Sequence, residues 1–241
     1  MTKLEKPPVF PYDKKEYDRT GREGDVLRHF FAVLSRMKHI RRWGLMRSTR
    51  EENLCEHSFE TAVLAHALAV LRNERFGGHV SPERAAALAL FHDASEIFTG
   101  DLPTPVKYDN PVLRASYAAV EAHARERLLS MLPPDLRPAY RPLLEEGGEG
   151  EEELSRIVKA ADKLSALVKC VEERRAGNTE FVRAEQTLRR AVEALELPEA
   201  DCFLKEFLPS YALTLDEQEG IWETEQENNK GRDPDCDETE S

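Results

Sequence analysis

Residues 81–100 read SPERAAALALFHDASEIFTG, and local signals at both ends and the middle spell a helix. Ser81 is placed to cap it, and Pro82 occupies the first helical position, where no amide hydrogen is needed. Ala85, Leu88, Leu90 and Phe91 give it an apolar side, and Gly100 stops it. The expectation is one helix running from Pro82 to Gly100. His92 and Asp93 then fall in its apolar interior. Burying an unpaired carboxylate there costs several kcal/mol or more, so the doublet needs a partner that neutralises and ligates it. A divalent cation would do both.

The same reading extends outward from this helix. Residues Leu54 to Glu74 carry His57, Thr61, Leu64, Leu68 and Leu71 on or beside one stripe, with Gly77-Gly78 as the stop. Further upstream, Val26, Leu27, Phe30, Phe31, Leu34 and Met37 recur at helical spacing behind Asp25 as a cap. Residues 1–24, with Pro7, Pro8 and Pro11 and no period, read as an arm. Downstream, Pro103, Pro105 and Pro111 make a stiff loop directly behind the HD-bearing helix. Helical periodicity returns over Val112 to Leu132. Pro133-Pro134 and Gly147 to Gly150 bracket a poorly periodic connector. Helices follow over Glu151 to Ala176, Thr179 to Leu195 and Glu199 to Phe207. No β-branched alternation marks a strand. The expected fold is all-α, a single-domain helical bundle over residues 25–216, followed by a disordered tail over 217–241.

Composition narrows the function. The chain has 34 bases against 46 acids, a formal charge of −12. The segment Glu217 to Ser241 holds ten acids and two bases, net −8, which leaves −4 for the rest. A nearly balanced body with no basic stripe argues against binding nucleic acid through its backbone, while a small phosphorylated ligand needs only one or two bases. Four cysteines without CxxC pairing have the pattern of reduced intracellular thiols. No apolar run approaches membrane-spanning length. These features predict a cytoplasmic protein.

A four-ligand metal shell needs two groups besides His92 and Asp93, with nitrogen and carboxylate oxygen ligands at roughly 2.0–2.2 Å. His57, at the start of an apolar stripe, and Asp162, a lone acid at the edge of a buried helical face, are the candidates.

Several longer strings extend beyond these four residues. They are His29-Phe-Phe-x-x-Leu-Ser-Arg36, Arg41-Arg42-Trp43-Gly-Leu-Met46, Glu56-His57-Ser58, Phe91-His92-Asp93-Ala-Ser-Glu96, Thr99-Gly-Asp-Leu-Pro-Thr-Pro-Val-Lys107, Lys159-Ala-Ala-Asp162 and Cys170-Val-Glu-Glu173. Together, over about Asp25 to Asp216, they resemble the bacterial 5′-deoxynucleotidases of the HD-domain phosphohydrolase superfamily. The resemblance implies an HD-type helical bundle, usually a homodimer. It also implies one divalent metal ion (Co, Mn, Zn or Fe) and hydrolysis of 2′-deoxyribonucleoside 5′-monophosphates to deoxynucleoside and phosphate.

Carried over residue by residue, the resemblance implies His57, His92, Asp93 and Asp162 as metal ligands. It makes Glu96 the group that orients or deprotonates the attacking water, four residues after His92 and so on the same helical face. Arg42 and Trp43 become the substrate-binding pair, Arg42 also serving catalysis. Asp101, Leu102, Pro103 and Thr104 lie against the sugar and phosphate, with Asp93 and Asp162 facing the same ligand. Asp101 either bonds the 3′-hydroxyl or protonates the leaving 5′-oxygen. Cys55 departs from the pattern, standing where a small hydroxyl residue is expected. Two other readings remain open on sequence grounds: another HD hydrolase acting on dNTPs, cyclic nucleotides or ppGpp, and a catalytically silent nucleotide-binding protein.

Overall fold

The computed structural model describes residues 28–103, 110–145, 148 and 150–219. The N-terminal arm, the Asp25 cap, most of the acidic tail and Thr104 lie outside the described residues. Those that are described form helices α1 (Phe30–Leu34), α2 (Leu54–Phe76), α3 (Pro82–Phe91), α4 (Glu96–Thr99), α5 (Pro111–Ser130), α6 (Arg137–Leu144), α7 (Glu152–Arg175), α8 (Val182–Glu193) and α9 (Pro198–Glu206), with short 3₁₀ turns between them. Extended pairing among the described residues is limited to one isolated bridge, Arg41 to Asn53. The all-α, single-domain expectation holds.

Local chemistry fixes the helix starts. Asn53 accepts from the amides of Cys55 and Glu56, while the Glu56 carboxylate returns to the Asn53 amide, a reciprocal cap at the head of α2. Ser81 accepts from the Arg84 amide ahead of Pro82, and Asn110 does the same for α5. Each such cap stabilises by about 1 kcal/mol.

Packing then assembles two cores. The larger one joins α2, α3, α7, α8 and α9 through Leu64, Leu68, Leu88, Ile157, Leu164, Leu167, Val192 and Phe203. The smaller one gathers Phe30, Ala94, Leu128, Leu129, Leu132 and Leu144 from α1, α5, α6 and the turn after α3. Truncating any of these buried leucines to Ala would cost about 2–5 kcal/mol. Leu88 and Ala89 belong to the first core and Ala94 to the second, so the chain between them is pinned from both sides.

The structure corrects the sequence reading at two places. The helix expected to run unbroken from Pro82 to Gly100 stops at Phe91, and His92–Ser95 form a tighter turn before α4. Its amide bonds reach back three residues, from Ala94 to Phe91 and from Glu96 to Asp93, each 3.0 Å. The Ala89 carbonyl, which a continuing helix would offer to the Asp93 amide, accepts instead from His92 Nδ1 at 2.7 Å. The other correction is α6. The stretch expected to be a poorly periodic connector between Pro133-Pro134 and Gly147 contains this helix, with Pro138 in its first turn, where proline is tolerated. Tyr140 and Leu144 bury against the smaller core and Leu143 against the larger, and this burial outweighs the amide that Pro142 lacks.

Candidate metal and phosphate site

The turn at the end of α3, the first turn of α2 and the middle of α7 converge. His57 on α2, His92 at the break and Asp162 on α7 present ligand atoms all within 4.8 Å of one another. His57 Nε2 lies 3.2 Å from Asp162 Oδ1 and 3.6 Å from Asp93 Oδ2, and His92 Nε2 lies 3.2 Å from Asp93 Oδ2 and 3.9 Å from Asp162 Oδ1.

The tautomers follow from the partners. His92 Nδ1 meets a carbonyl, which only accepts, so Nδ1 carries hydrogen. His57 Nδ1 lies 3.0 Å from Ser165 Oγ, and the Ser165 hydroxyl donates to Glu60 at 2.7 Å, so Oγ accepts from His57. In its neutral form each ring therefore turns a bare Nε2 toward the carboxylates. Both Nε2 atoms are buried and have no hydrogen-bond partner.

Electrostatics show how strongly the cluster attracts positive charge. Burial alone would lower the His92 imidazole, but Asp93 and Asp162 outweigh it and hold its pKa well above the ordinary value. Burial and the Arg42 guanidinium lower His57. Against the penalty of burial, the two imidazoles keep Asp93 down at about 2 and Asp162 well below its usual value. Four groups of this kind need positive charge among them. Two imidazoles and two carboxylates total −2, which matches a divalent cation in charge and donor type, and the orphaned Nε2 atoms are where such a cation would find its nitrogen ligands.

Arg42 borders this cluster. Its Nη1 lies 3.4 Å from Asp93 Oδ2 and its Nε 3.2 Å from Glu52 Oε1. The segment that carries it is tied back to the start of α2: the Arg42 amide donates to Glu52 O at 3.0 Å and the Leu54 amide to Ile40 O at 2.9 Å. Trp43 has φ 59°, in the left-handed region that a bulky residue seldom enters. Its indole Nε1 donates to Glu52 at 2.9 Å and its ring packs on Phe181. Its backbone N–H donates to the Asp101 carboxylate, whose pKa burial raises against the pull of Arg42. Gly100, at φ 73°, turns the chain out of α4 and into this position, and the Tyr117 hydroxyl holds the turn from α5, 3.2 Å from Thr99 Oγ1.

Arg42, Trp43, His57, His92, Asp93, Asp101 and Asp162 are thus brought together. Leu102 and Pro103 follow Asp101 as half-buried, non-helical residues. Glu96 is buried at the first position of α4, but the break at His92 overturns the expectation that one continuous helical turn sets it on the face of His92. Cys55 is exposed on α2. Sequence reasoning missed Glu52, Glu60 and Ser165. The signal available for the last two was a polar residue three positions after a candidate ligand on the same helix, Glu60 after His57 and Ser165 after Asp162.

A helical bundle with one histidine on an early helix, a His-Asp doublet at a helix break and a distant aspartate defines the HD-domain phosphohydrolase class. A solved HD-domain phosphohydrolase from Listeria innocua has this fold, with TM-score 0.67 and 27% identity over 85% of this chain and 98% of that one. Within that class the chain belongs to the 5′-deoxynucleotidase YfbR-like family, whose profile matches residues 29–211. It is 51% identical over 189 residues to a 5′-deoxynucleotidase of Vibrio vulnificus, covering 78% of this chain and 97% of that relative. Identity is also 51% over 189 residues to 5′-deoxynucleotidase YfbR of Escherichia coli, covering 78% and 94%.

Proposed function

We propose that this protein hydrolyses 2′-deoxyribonucleoside 5′-monophosphates to deoxynucleoside and phosphate. The observation that carries the reading is the pair of buried, partnerless Nε2 atoms facing Asp93 and Asp162 beside the Arg42 fork. It occurs in a chain about half identical to curated 5′-deoxynucleotidases.

His57, His92, Asp93 and Asp162 would hold one divalent ion, with Co, Mn, Zn and Fe all suited to that donor set. When bound, such an ion supplies Lewis acidity at a phosphoryl oxygen and makes water acidic enough to attack near neutral pH. The protein's own groups do the rest. Arg42 swings its fork from Asp93 to the phosphate oxygens, and Trp43 offers a flat face to the sugar or base. Glu96 takes a proton from the attacking water as its oxygen bonds to phosphorus. The P–O5′ bond breaks, and the leaving oxygen gains a proton, a role we assign to Asp101, which sits beside Arg42 and Trp43 and whose pKa burial raises. Leu102 and Pro103 wall the sugar. A wall without a hydroxyl partner at C2′ disfavours ribonucleotides by about 1–3 kcal/mol.

The catalytic unit in this reading is residues 25–216, and the protein is cytoplasmic. No described helix is long and apolar enough to cross a membrane, and the described cysteines are free thiols. A homodimer is part of the proposal, supported by Phe59 and Val63, which stand 66% and 53% exposed one turn apart on α2. Sedimentation as a monomer at working concentration would remove it.

With Co²⁺ or Mn²⁺, phosphate release from dAMP, dTMP and dCMP is expected to outpace release from AMP by at least about 5-fold, the low end of that hydroxyl penalty. Equal rates on ribose and deoxyribose substrates sink the specificity. Preference for dNTPs, cyclic nucleotides or ppGpp would place the chain with other HD chemistries, and no hydrolysis at all would leave a silent binding protein. Replacing Arg42 with Ala is expected to lower kcat/KM by roughly 10–100-fold, the worth of a charge-assisted phosphate contact, while metal content stays the same. Loss of metal in that variant would instead make Arg42 a support of the metal shell.

A further inference from the structure

His57 reaches the cluster with its ring fixed by a chain of groups that spans two helices. Glu60, three residues after His57 on α2, accepts from the Ser165 hydroxyl at 2.7 Å, and Ser165 Oγ in turn accepts from His57 Nδ1 at 3.0 Å. Ser165 lies three residues after Asp162 on α7. Each helix therefore presents one ligand and, a turn further along the same face, one member of this chain. Both His57 and Ser165 are fully buried. A serine hydroxyl has one hydrogen. With that hydrogen committed to Glu60, Oγ can only accept, and the imidazole is left with its bare nitrogen toward Asp93 and Asp162.

We infer that Glu60 and Ser165 are positioning residues, a relay that sets the tautomer and ring angle of His57 for metal binding, with Glu60 acting only through Ser165. The inference rests on the metal-centre reading above and adds residues that touch neither the cation nor substrate. His92 gets the same service more simply, from the backbone carbonyl of Ala89. The asymmetry has a physical consequence, since side chains can be replaced and a carbonyl cannot. Outer partners of ligating histidines also raise ligand basicity, and their loss typically costs about 10–100-fold in metal affinity.

The test is Co²⁺ affinity, measured by competition with a chromophoric chelator at pH 8, above the value of about 7 to which burial pushes the Glu60 carboxyl. Ser165→Ala is expected to bind Co²⁺ about 10–100-fold more weakly and to show altered d–d absorption, with Ser165→Thr restoring both. Glu60→Gln, at a half-buried position, is expected to lose several-fold. The double variant is expected to be no weaker than Ser165→Ala alone, because Glu60 has nothing left to act through. Unaltered affinity in Ser165→Ala, or a Glu60→Gln loss that is undiminished when Ser165 is already Ala, overturns the relay. Should Ser165→Ala not fold, unchanged affinity in Glu60→Gln does so by itself. Failure of the unaltered protein to bind Co²⁺ overturns the metal centre with it, which separates the two claims.

Discussion

Asp162→Ala is expected to strip the bound metal from about one ion per chain to nearly none and to cut phosphate release from dAMP by about 10³-fold or more. That corresponds to the several kcal/mol of transition-state stabilisation a metal centre supplies. The size follows from the geometry. Asp162 is the one residue of α7 in the cluster, with Oδ1 3.2 Å from His57 Nε2 and 3.9 Å from His92 Nε2, and without it the two imidazoles face only Asp93. His92→Ala is expected to do the same from the other side. The Asp162 side chain is 38% exposed, so the fold should survive the change, and an unchanged circular dichroism spectrum would show that chemistry was lost while structure was kept. Full metal content in an inactive Asp162→Ala protein would refute its role as a ligand and assign it to the substrate. Arg42→Ala serves as the control, since it is expected to lose activity with its metal in place.

The second large effect concerns stability. Glu173, buried on α7, accepts from the Thr49 amide at 2.8 Å, Thr49 Oγ1 at 2.8 Å, the Arg50 amide at 3.2 Å, Asn178 Nδ2 at 2.9 Å and Lys169 Nζ at 2.5 Å. Lys169 in turn donates to the Arg50 carbonyl at 2.6 Å. This cluster clamps the chain between Trp43 and Glu52 onto α7, so it fixes the approach of Arg42 and Trp43 to the cluster of His57, His92, Asp93 and Asp162. Glu173→Ala leaves a buried ammonium and several amides without their acceptor. The expected cost is about 3–5 kcal/mol, or roughly 6–20 °C in Tm for a domain of this size. A loss below about 1 kcal/mol would mean that water replaces the carboxylate and that the clamp is dispensable.

The pH dependence has a definite sign. Burial would raise the Glu173 carboxyl, but Lys169, Thr49 and Asn178 hold it far below the ordinary value. A depressed folded-state pKa contributes stability that is present above the unfolded value of about 4.3 and fades as pH falls below it. The unaltered protein is therefore expected to lose this contribution on acidification from pH 5 downward. Glu173→Ala, having none to lose, should show a shallower decline over the same range.

The sequence alone determined the helices whose ends carry local chemistry. Ser81, Pro82 and Gly77 act on amides and carbonyls within a few residues of themselves, so their effect is legible without any fold. The chemical kind of the centre was legible too, since a histidine and an aspartate side by side among apolar residues demand compensation wherever they are buried. Tertiary structure decided the rest. The break at His92 arises because its ring takes a helix carbonyl while Leu88 and Ala94 sink into different cores, and a run of helix-forming residues carries no trace of that competition. Helix α6 exists because its apolar face finds two cores, in a stretch whose sequence shows little periodicity of its own. Glu52 reads as one more surface acid until the loop folds back and gives it Arg42 and Trp43. Ser165 meets His57 across 108 residues and Glu60 across 105. A contact between groups so far apart leaves no periodicity in either helix, because it is made by the packing of α2 on α7 and by nothing local to either.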